Sequence, residues 1–240
     1  MSVRHPGDVD SVAHVFVDDL YSPALGHDDE HHLDKVLRVR DGEIVTASDG
    51  AGSFRACRFN GRGVLEIAGA IVLSERIYPP LVVCFALLKG DKNDYVVQKL
   101  TEIGIDRIVP FAADRSVARW DDAKWEKNMI RFSEIARNAA MQSRRVTFAH
   151  LGLPGALGLR VARFGDVVTL PGAAVAQRGG GRISETHRTI LVGPEGGWSA
   201  HELALANETV GLFDEVLRAE TASVAVGTLM ASYRGMPAAS

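Results

Sequence analysis

Hydrophobic and polar positions along this chain fall into two textures. Up to Leu73 the apolar stretches are short and broken by turn signals. Val15-Phe16-Val17 precedes Asp18-Asp19, Glu43 to Ala47 runs into Ser48-Asp49-Gly50, and Ser53 to Phe59 alternates until Asn60-Gly61, after which Val64 to Leu73 follows. Asn-Gly between two strand-like runs predicts a hairpin, because both residues tolerate the positive φ that tight hairpin turns need. A short helix is expected from about Asp29 to Arg38, with Leu33, Val36 and Leu37 on one face. The pattern predicts a small β-barrel or sandwich of roughly five strands. Tyr78-Pro79-Pro80 then forms a stiff break, which predicts one domain over residues 1–76 and a second over 77–240.

Beyond the break, strand and helix patterns alternate. Leu81 to Leu88 is a continuous apolar run, as expected of a parallel strand covered on both faces. Val96, Leu100 and Ile103 fall at helical spacing, with Gly104 where a helix stop belongs. Arg107 to Phe111 reads as the next strand. Trp125, Met129, Phe132, Ala136 and Ala139 mark the apolar side of a long amphipathic helix. Further strands are expected at Asp166 to Leu170, at Thr189 to Val192 and ending near Leu217. Ser199-Ala200-His201-Glu202 matches a capping box and so predicts a helix start. A last helix follows Thr221, where Ala222, Ala225 and Gly227 permit close backbone approach. Alternation of this kind predicts an α/β fold with a mainly parallel sheet.

Two strings stand out within the second half. Gly193-Pro194-Glu195-Gly196-Gly197-Trp198 follows an apolar run directly, and Val216-Leu217-Arg218-Ala219-Glu220-Thr221-Ala222 comes shortly after. Each reads as a strand entering a tight loop and then a helix. Glycines let a backbone adopt positive φ and approach a ligand, and a helix start exposes free N–H groups. Two such loops can wall one pocket from backbone atoms, which suits an adenosine-type cofactor better than a metal or a nucleophile. The alternative for either string is a tight turn, or a structural Arg–Glu pair, with no ligand. No Gly-Lys-Ser/Thr follows the first string, which excludes a nucleotide P-loop, and a dinucleotide fingerprint is also absent.

Charge adds little at the level of the whole chain, since the formal net charge is −3. Nucleic-acid binding would therefore need local clusters of basic residues. Candidates are Lys89, Lys92 and Lys99; Arg115 and Arg119 around Ser116; Arg137, Arg144 and Arg145 beside Gln142 and Ser143; and Arg38 with Arg40. Arg178-Gly179-Gly180-Gly181-Arg182 is expected to be a flexible surface loop. His31-His32 lacks partners at ligand spacing, so no metal is expected. Cys57 and Cys84 sit in apolar runs and read as buried free thiols. No apolar stretch follows Met1-Ser2-Val3-Arg4-His5-Pro6 and none is long enough to span a bilayer, so the expected location is cytoplasmic.

The two strings together resemble the RsmE family of 16S ribosomal RNA uridine-N3 methyltransferases, in the SPOUT superfamily. Lys89-Gly90-Asp91-Lys92 and Gln98-Lys99-Leu100-Thr101-Glu102-Ile103-Gly104 are similar to the family's Lys-Gly-Asp and Gln-Lys-x-Thr-Glu-x-Gly elements. Arg115-Ser116-Val117, Gln142-Ser143-Arg144-Arg145, His32-Leu33 and Val36-Leu37-Arg38 resemble further family elements in the same order. The resemblance implies an N-terminal PUA-like β-barrel that binds RNA and a C-terminal SPOUT domain with a deep trefoil knot. It also implies a homodimer that uses S-adenosylmethionine and acts on 16S rRNA or the small ribosomal subunit. The implied cofactor pocket comprises Leu170, Leu191, Gly193, Gly196, Leu212 and Leu217. The implied chemistry places Arg218 against a developing uridine anion, with Glu195 or Glu220 orienting it. Arg38, Arg40, Lys89, Arg115, Arg119, Gln142 and Arg144 are the expected RNA contacts. The chain departs from the family at Asn138, where glutamate is usual, and at Phe213 and Glu215, where glycine and a basic residue are usual. A catalytically impaired RNA-binding assembly factor, or a SPOUT methyltransferase for another RNA, stays open as an alternative.

Overall fold

The computed structural model describes residues 4–61, 63–74, 78–155 and 160–234. The opening residues Met1-Ser2-Val3 of the leader reading, and residues 75–77 beside the expected break, lie outside the described residues. Two compact units are present: Met1–Ile77 with Arg137–Phe148, and Tyr78–Ala136 with Ala149–Ser240.

The first unit is built on one five-stranded sheet. Strands β1 (Ala13–Phe16), β2 (Ile44–Ser48), β3 (Ser53–Phe59) and β4 (Leu65–Ile67) lie in that order, and β5 (Val72–Leu73) pairs with β3. β1 runs parallel to β2, while β3 is antiparallel to β2, β4 and β5. The Asn60-Gly61 signal falls in the β3–β4 hairpin, with Gly61 at φ 69°. Val15, Val45, Ala47, Cys57 and Phe59 form the core with Leu33 and Leu65. The helix before β2 is a single turn, α1 (His27–His31), continued by a wider π-type turn over His32–Val36. Of the three residues expected on its apolar face only Leu33 is buried; Val36 and Leu37 face solvent. Widening the turn breaks the 3.6-residue period on which that face depended.

Residues 137–148 pack within this unit. Arg137 pairs bidentately with Asp29, at 2.8 and 2.5 Å, and lies over the Phe16 ring. His14 is buried. Its Nε2 donates to the carbonyl of Arg145 at 2.9 Å, and Nδ1 accepts from the Thr46 hydroxyl at 2.8 Å. Desolvation holds its pKa down, at about 4, so the ring is neutral around pH 7.

The second unit is α/β, with a six-stranded sheet whose every pairing is parallel. Its elements are β6 (Val82–Ala86), α2 (Lys92–Ile103), β7 (Arg107–Phe111), α3 (Asp122–Gln142, its last turn counted with the first unit) and β8 (His150–Leu151). They continue with α4 (Phe164–Val167), β9 (Ala173–Arg182), β10 (Thr189–Val192), α5 (Ala200–Leu205), β11 (Thr209–Gly211) and α6 (Ala219–Tyr233). Strand order is β11-β9-β10-β6-β7-β8. Successive residues of β6 serve opposite faces, Val83 and Phe85 in one core and Cys84 and Ala86 in the other, so its continuous apolar run is accounted for. Gly104 closes α2 in the left-handed region at φ 100°. α6 packs on α2 closely enough that a Cβ on Gly227 would meet Leu100 at 2.6 Å.

Three expectations need correction here. Asp166 to Leu170 is not a strand: Asp166 accepts from the Arg163 N–H and pairs with Arg160, which starts the short helix α4, and the strand begins at Ala173. The last strand ends at Gly211 rather than near Leu217, and its helix begins at Ala219. The glycine run 178–182 is strand, not loop. Gly181 and Arg182 register with Val210 and Gly211, and a Cβ on Gly180 would lie 2.6 Å from the Val210 backbone. Those glycines permit close strand approach. No helix among the described residues is long and apolar enough to cross a membrane.

Candidate functional site

The end of β10 delivers the first glycine string onto the sheet's C-terminal edge, where ligands of open α/β sheets bind. The string turns tightly, with the Gly197 N–H donating to the Pro194 carbonyl at 2.9 Å and Gly197 at φ 69°. Behind it the expected capping box is complete. The Ser199 hydroxyl accepts from the Glu202 N–H at 3.1 Å, and Glu202 Oε2 accepts from the Ser199 N–H at 2.8 Å. The other Glu202 oxygen accepts from the Asp114 N–H at 2.9 Å, so the loop after β7 is tied to the same cap. Trp198 anchors the string from below. Its ring stacks on Phe111 with 7° between planes, meets Phe164 edge-on, and donates from Nε1 to the Ala176 carbonyl at 2.8 Å. A Cβ at Gly193 would come within 2.8 Å of that ring, so glycine is required there by packing.

The second string leaves β11 through Leu212 to Leu217 and enters α6 at Arg218, whose backbone is the N-cap and whose side chain makes no capping bond. Between the strings lies a cavity of about 210 Å³. Gly193, Pro194, Glu195 and Trp198 line one wall. Leu212, Phe213, Glu215, Val216 and Leu217 line the other, and Ala176, Gln177 and Arg178 of β9 complete it. The lining is backbone and apolar side chain with few charges, the composition of a small-molecule pocket.

Lys92, in the first turn of α2, joins the two walls. Its Nζ lies 3.1 Å from Glu195 Oε1 and 3.2 Å from Glu220 Oε1. Hydrogen bonds to Glu195 and then Glu220 raise the Lys92 pKa. Burial pushes the Glu220 carboxyl up, but its own backbone N–H, Lys92 and Arg218 outweigh burial and leave it below the ordinary carboxylate range. Both groups are therefore charged at neutral pH.

Of the expected site residues, Gly193, Leu212, Leu217 and Glu195 line the cavity. Leu191 is buried in the core one residue before the cavity-lining Val192, and Leu170 packs against that core. Gly196 faces Arg115, whose Nη1 donates to its carbonyl at 3.3 Å. Arg218 is exposed, and its charge acts on the partly buried Glu220. Arg38 and Arg40 are exposed in the first unit, Arg38 in the left-handed region at φ 54°. Gln142 is exposed in the same unit, where Arg144 bonds Ser11 through its hydroxyl and carbonyl. Lys89 is exposed beside α2, and Arg119 lines a second cavity of about 450 Å³ with Trp120, Arg160 and Arg163. Sequence reasoning passed over Trp198, Gln177 and Arg178 as lining residues, and Lys92 as the link. The run that begins at Arg178 has loop composition and carries no local signal of a strand. Among the described residues, no three His, Cys, Asp or Glu side chains converge as a metal site requires.

Comparison with known proteins bears on this geometry. The family described as RNA methyltransferase domain matches residues 76–231. A ribosomal RNA small subunit methyltransferase E of Mycobacterium bovis is 32% identical over 225 residues, covering 84% of this chain and 83% of that protein. The Bacillus subtilis protein of the same name is 29% identical over 211 residues, covering 80% and 82%. Among solved structures, a ribosomal RNA small subunit methyltransferase E from Neisseria gonorrhoeae bound to S-adenosyl methionine aligns with TM-score 0.76 at 24% identity. That alignment covers 92% of this chain and 97% of the other, and at this identity it speaks for the fold.

Proposed function

The chain belongs to the ribosomal RNA small subunit methyltransferase E family, and from that premise we propose that it methylates N3 of a uridine in 16S rRNA, using S-adenosylmethionine. The observation that carries the reading is the cavity walled by the two strings. Its residues fit the cofactor: apolar Val192, Leu212 and Leu217 suit a nucleobase, the loop backbone offers polar partners, and Glu195 offers a carboxylate to a cationic group. When bound, S-adenosylmethionine supplies an electrophilic methyl group on a sulfonium.

The chain's own residues supply the rest. Uridine N3 is mostly protonated at neutral pH, so the reaction needs a proton acceptor or a cation that stabilises the developing anion. Arg218, exposed at the head of α6, takes the second role, and Glu195 or Glu220 orients it. Holding nucleophile and donor in line supplies most of the remaining rate gain. In the same reading residues 1–76 form a PUA-like RNA-binding barrel and residues 77–240 a knotted SPOUT domain. The enzyme works as a cytoplasmic homodimer, without metal, on 16S rRNA or the small subunit. Arg38, Arg40, Lys89, Arg115, Arg119 and Gln142 contact the RNA. Arg144, engaged with Ser11, reaches it only by exchanging that partner.

The experiment is calorimetric titration with S-adenosylmethionine, followed by methyl transfer to small-subunit RNA and mass-spectrometric mapping of the modified base. Methyl on N3 of one uridine supports the reading; methyl on another atom or RNA replaces it. A second reading rests on Phe213 and Glu215, which line the cavity where the family usually has glycine and a basic residue. It is an RNA-binding assembly factor without turnover, favoured if neither cofactor binding nor methyl transfer is found. An Arg218→Ala variant that keeps both cofactor affinity and single-turnover rate would remove Arg218 from the chemistry.

A further inference from the structure

Lys92 belongs to a basic segment that the sequence marked as a candidate RNA contact and as part of a family-like element, yet its ammonium is engaged inside the site. Three segments distant in sequence converge on it: the first turn of α2, the glycine string through Glu195, and the head of α6 through Glu220. The side chains are shielded unequally, at 34% exposure for Lys92, 37% for Glu195 and 15% for Glu220. Glu195 lines the cavity, and Ala219 and Ala222 on either side of Glu220 line it as well. The second Glu220 oxygen is buried without a hydrogen-bond partner among the described residues; Lys92 makes the close ion pair with this carboxylate, and Arg218 adds its charge. Without the ammonium, two carboxylates would be left facing one another beside the pocket.

We propose that Lys92 is a positioning residue that straps the glycine string to the head of α6, and so holds the two cavity walls at the spacing the methyl donor requires. This rests on the functional reading above and adds to it a residue outside the expected cofactor and catalytic sets. Lys92 acts through the two carboxylates rather than on the reacting atoms. It sets how well the pocket is formed before the ligand arrives, which is preorganisation. Each arm has its own consequence. Loss of Glu195 frees the glycine string alone, loss of Glu220 frees the head of α6 alone, and loss of Lys92 frees both.

Amide hydrogen exchange of the ligand-free full chain, combined with S-adenosylmethionine calorimetry, tests this. Lys92→Met should speed exchange jointly in residues 193–198 and 219–223. It should weaken S-adenosylmethionine binding about tenfold, the scale of one charge-assisted contact, with any fall in kcat accompanied by that loss of affinity. Lys92→Arg should restore both. Glu195→Ala should loosen only the first segment, and it serves as the test should Lys92→Met fail to fold. Unchanged exchange in both segments for Lys92→Met, failure of Lys92→Arg to restore it, or loss confined to kcat overturns the strap. The exchange arm needs no cofactor. A wild-type chain that binds no S-adenosylmethionine therefore overturns the functional reading, while the strap is judged separately on exchange.

Discussion

The two walls of the cavity are built by opposite means. The glycine string is over-determined: Trp198 is stacked in the core beneath it, a closed capping box stands behind it, and Glu202 ties it to the loop after β7. Among the described residues the stretch from Leu212 to Leu217 has no comparable cap or ring anchor: Leu212 and Leu217 pack against the core at its ends, while Phe213 is exposed at 51% and Val216 at 83%. One wall takes its shape from the fold. The other is shaped at its end by the strap on Glu220 and is otherwise open to a ligand or partner. A pocket made this way can present a fixed surface to one part of a molecule and adapt to another.

The sharpest way to break the contrast is Trp198→Ala. Removing a buried ring of this size costs about 3–5 kcal/mol, so the second unit should melt several degrees lower and lose the glycine-string geometry as well. A small loss, read by urea denaturation, would mean the first wall is less anchored than its contacts indicate. Next in size comes a yardstick away from both walls. His14 is held neutral in the fold with a pKa near 4, against 6.5 when unfolded. The folded value is the lower one, so the stabilisation is complete above pH 6.5 and is lost as the pH falls from there toward 4, by about 3 kcal/mol in all. Stability curves of wild type and His14→Gln across that range check it. The dependence should shrink by about that amount in the variant, and the difference between the two curves reports the first unit.

Smaller effects separate the walls themselves. Ser199→Ala removes the cap behind the glycine string and should cost about 1 kcal/mol in chemical denaturation. Val216→Ser on the other wall should stay within about 0.5 kcal/mol of wild-type stability, as exposed positions generally do, while affinity for S-adenosylmethionine or RNA falls. If Val216→Ser destabilises as much as Ser199→Ala, the two walls are alike and the contrast is wrong.

What could be read from the sequence follows the same division. Signals carried by neighbouring residues were legible: the continuous apolar run of β6, the glycine stop after α2, the Asn-Gly hairpin and the Ser199–Glu202 box all have local causes. Features set by distant chain were not. The run Arg178 to Arg182 has loop composition, and only the approach of β11 makes it strand. Val36 and Leu37 keep helical spacing, but a widened turn leaves them outside. In the site, Gly193 and Glu195 announced themselves through an unusual local string. Lys92 meets Glu195 across 103 residues of sequence and could not.

Trp198 also carries an optical consequence. It is one of three tryptophans in the chain, and the other two, Trp120 and Trp125, lie against each other away from the cavity. Its indole lines the cavity while its N–H is held by the Ala176 carbonyl, so a molecule entering the cavity changes the polarity around one identified chromophore. Emission from the unlabelled protein, compared with that of Trp198→Phe, therefore offers a direct titration signal from inside the pocket.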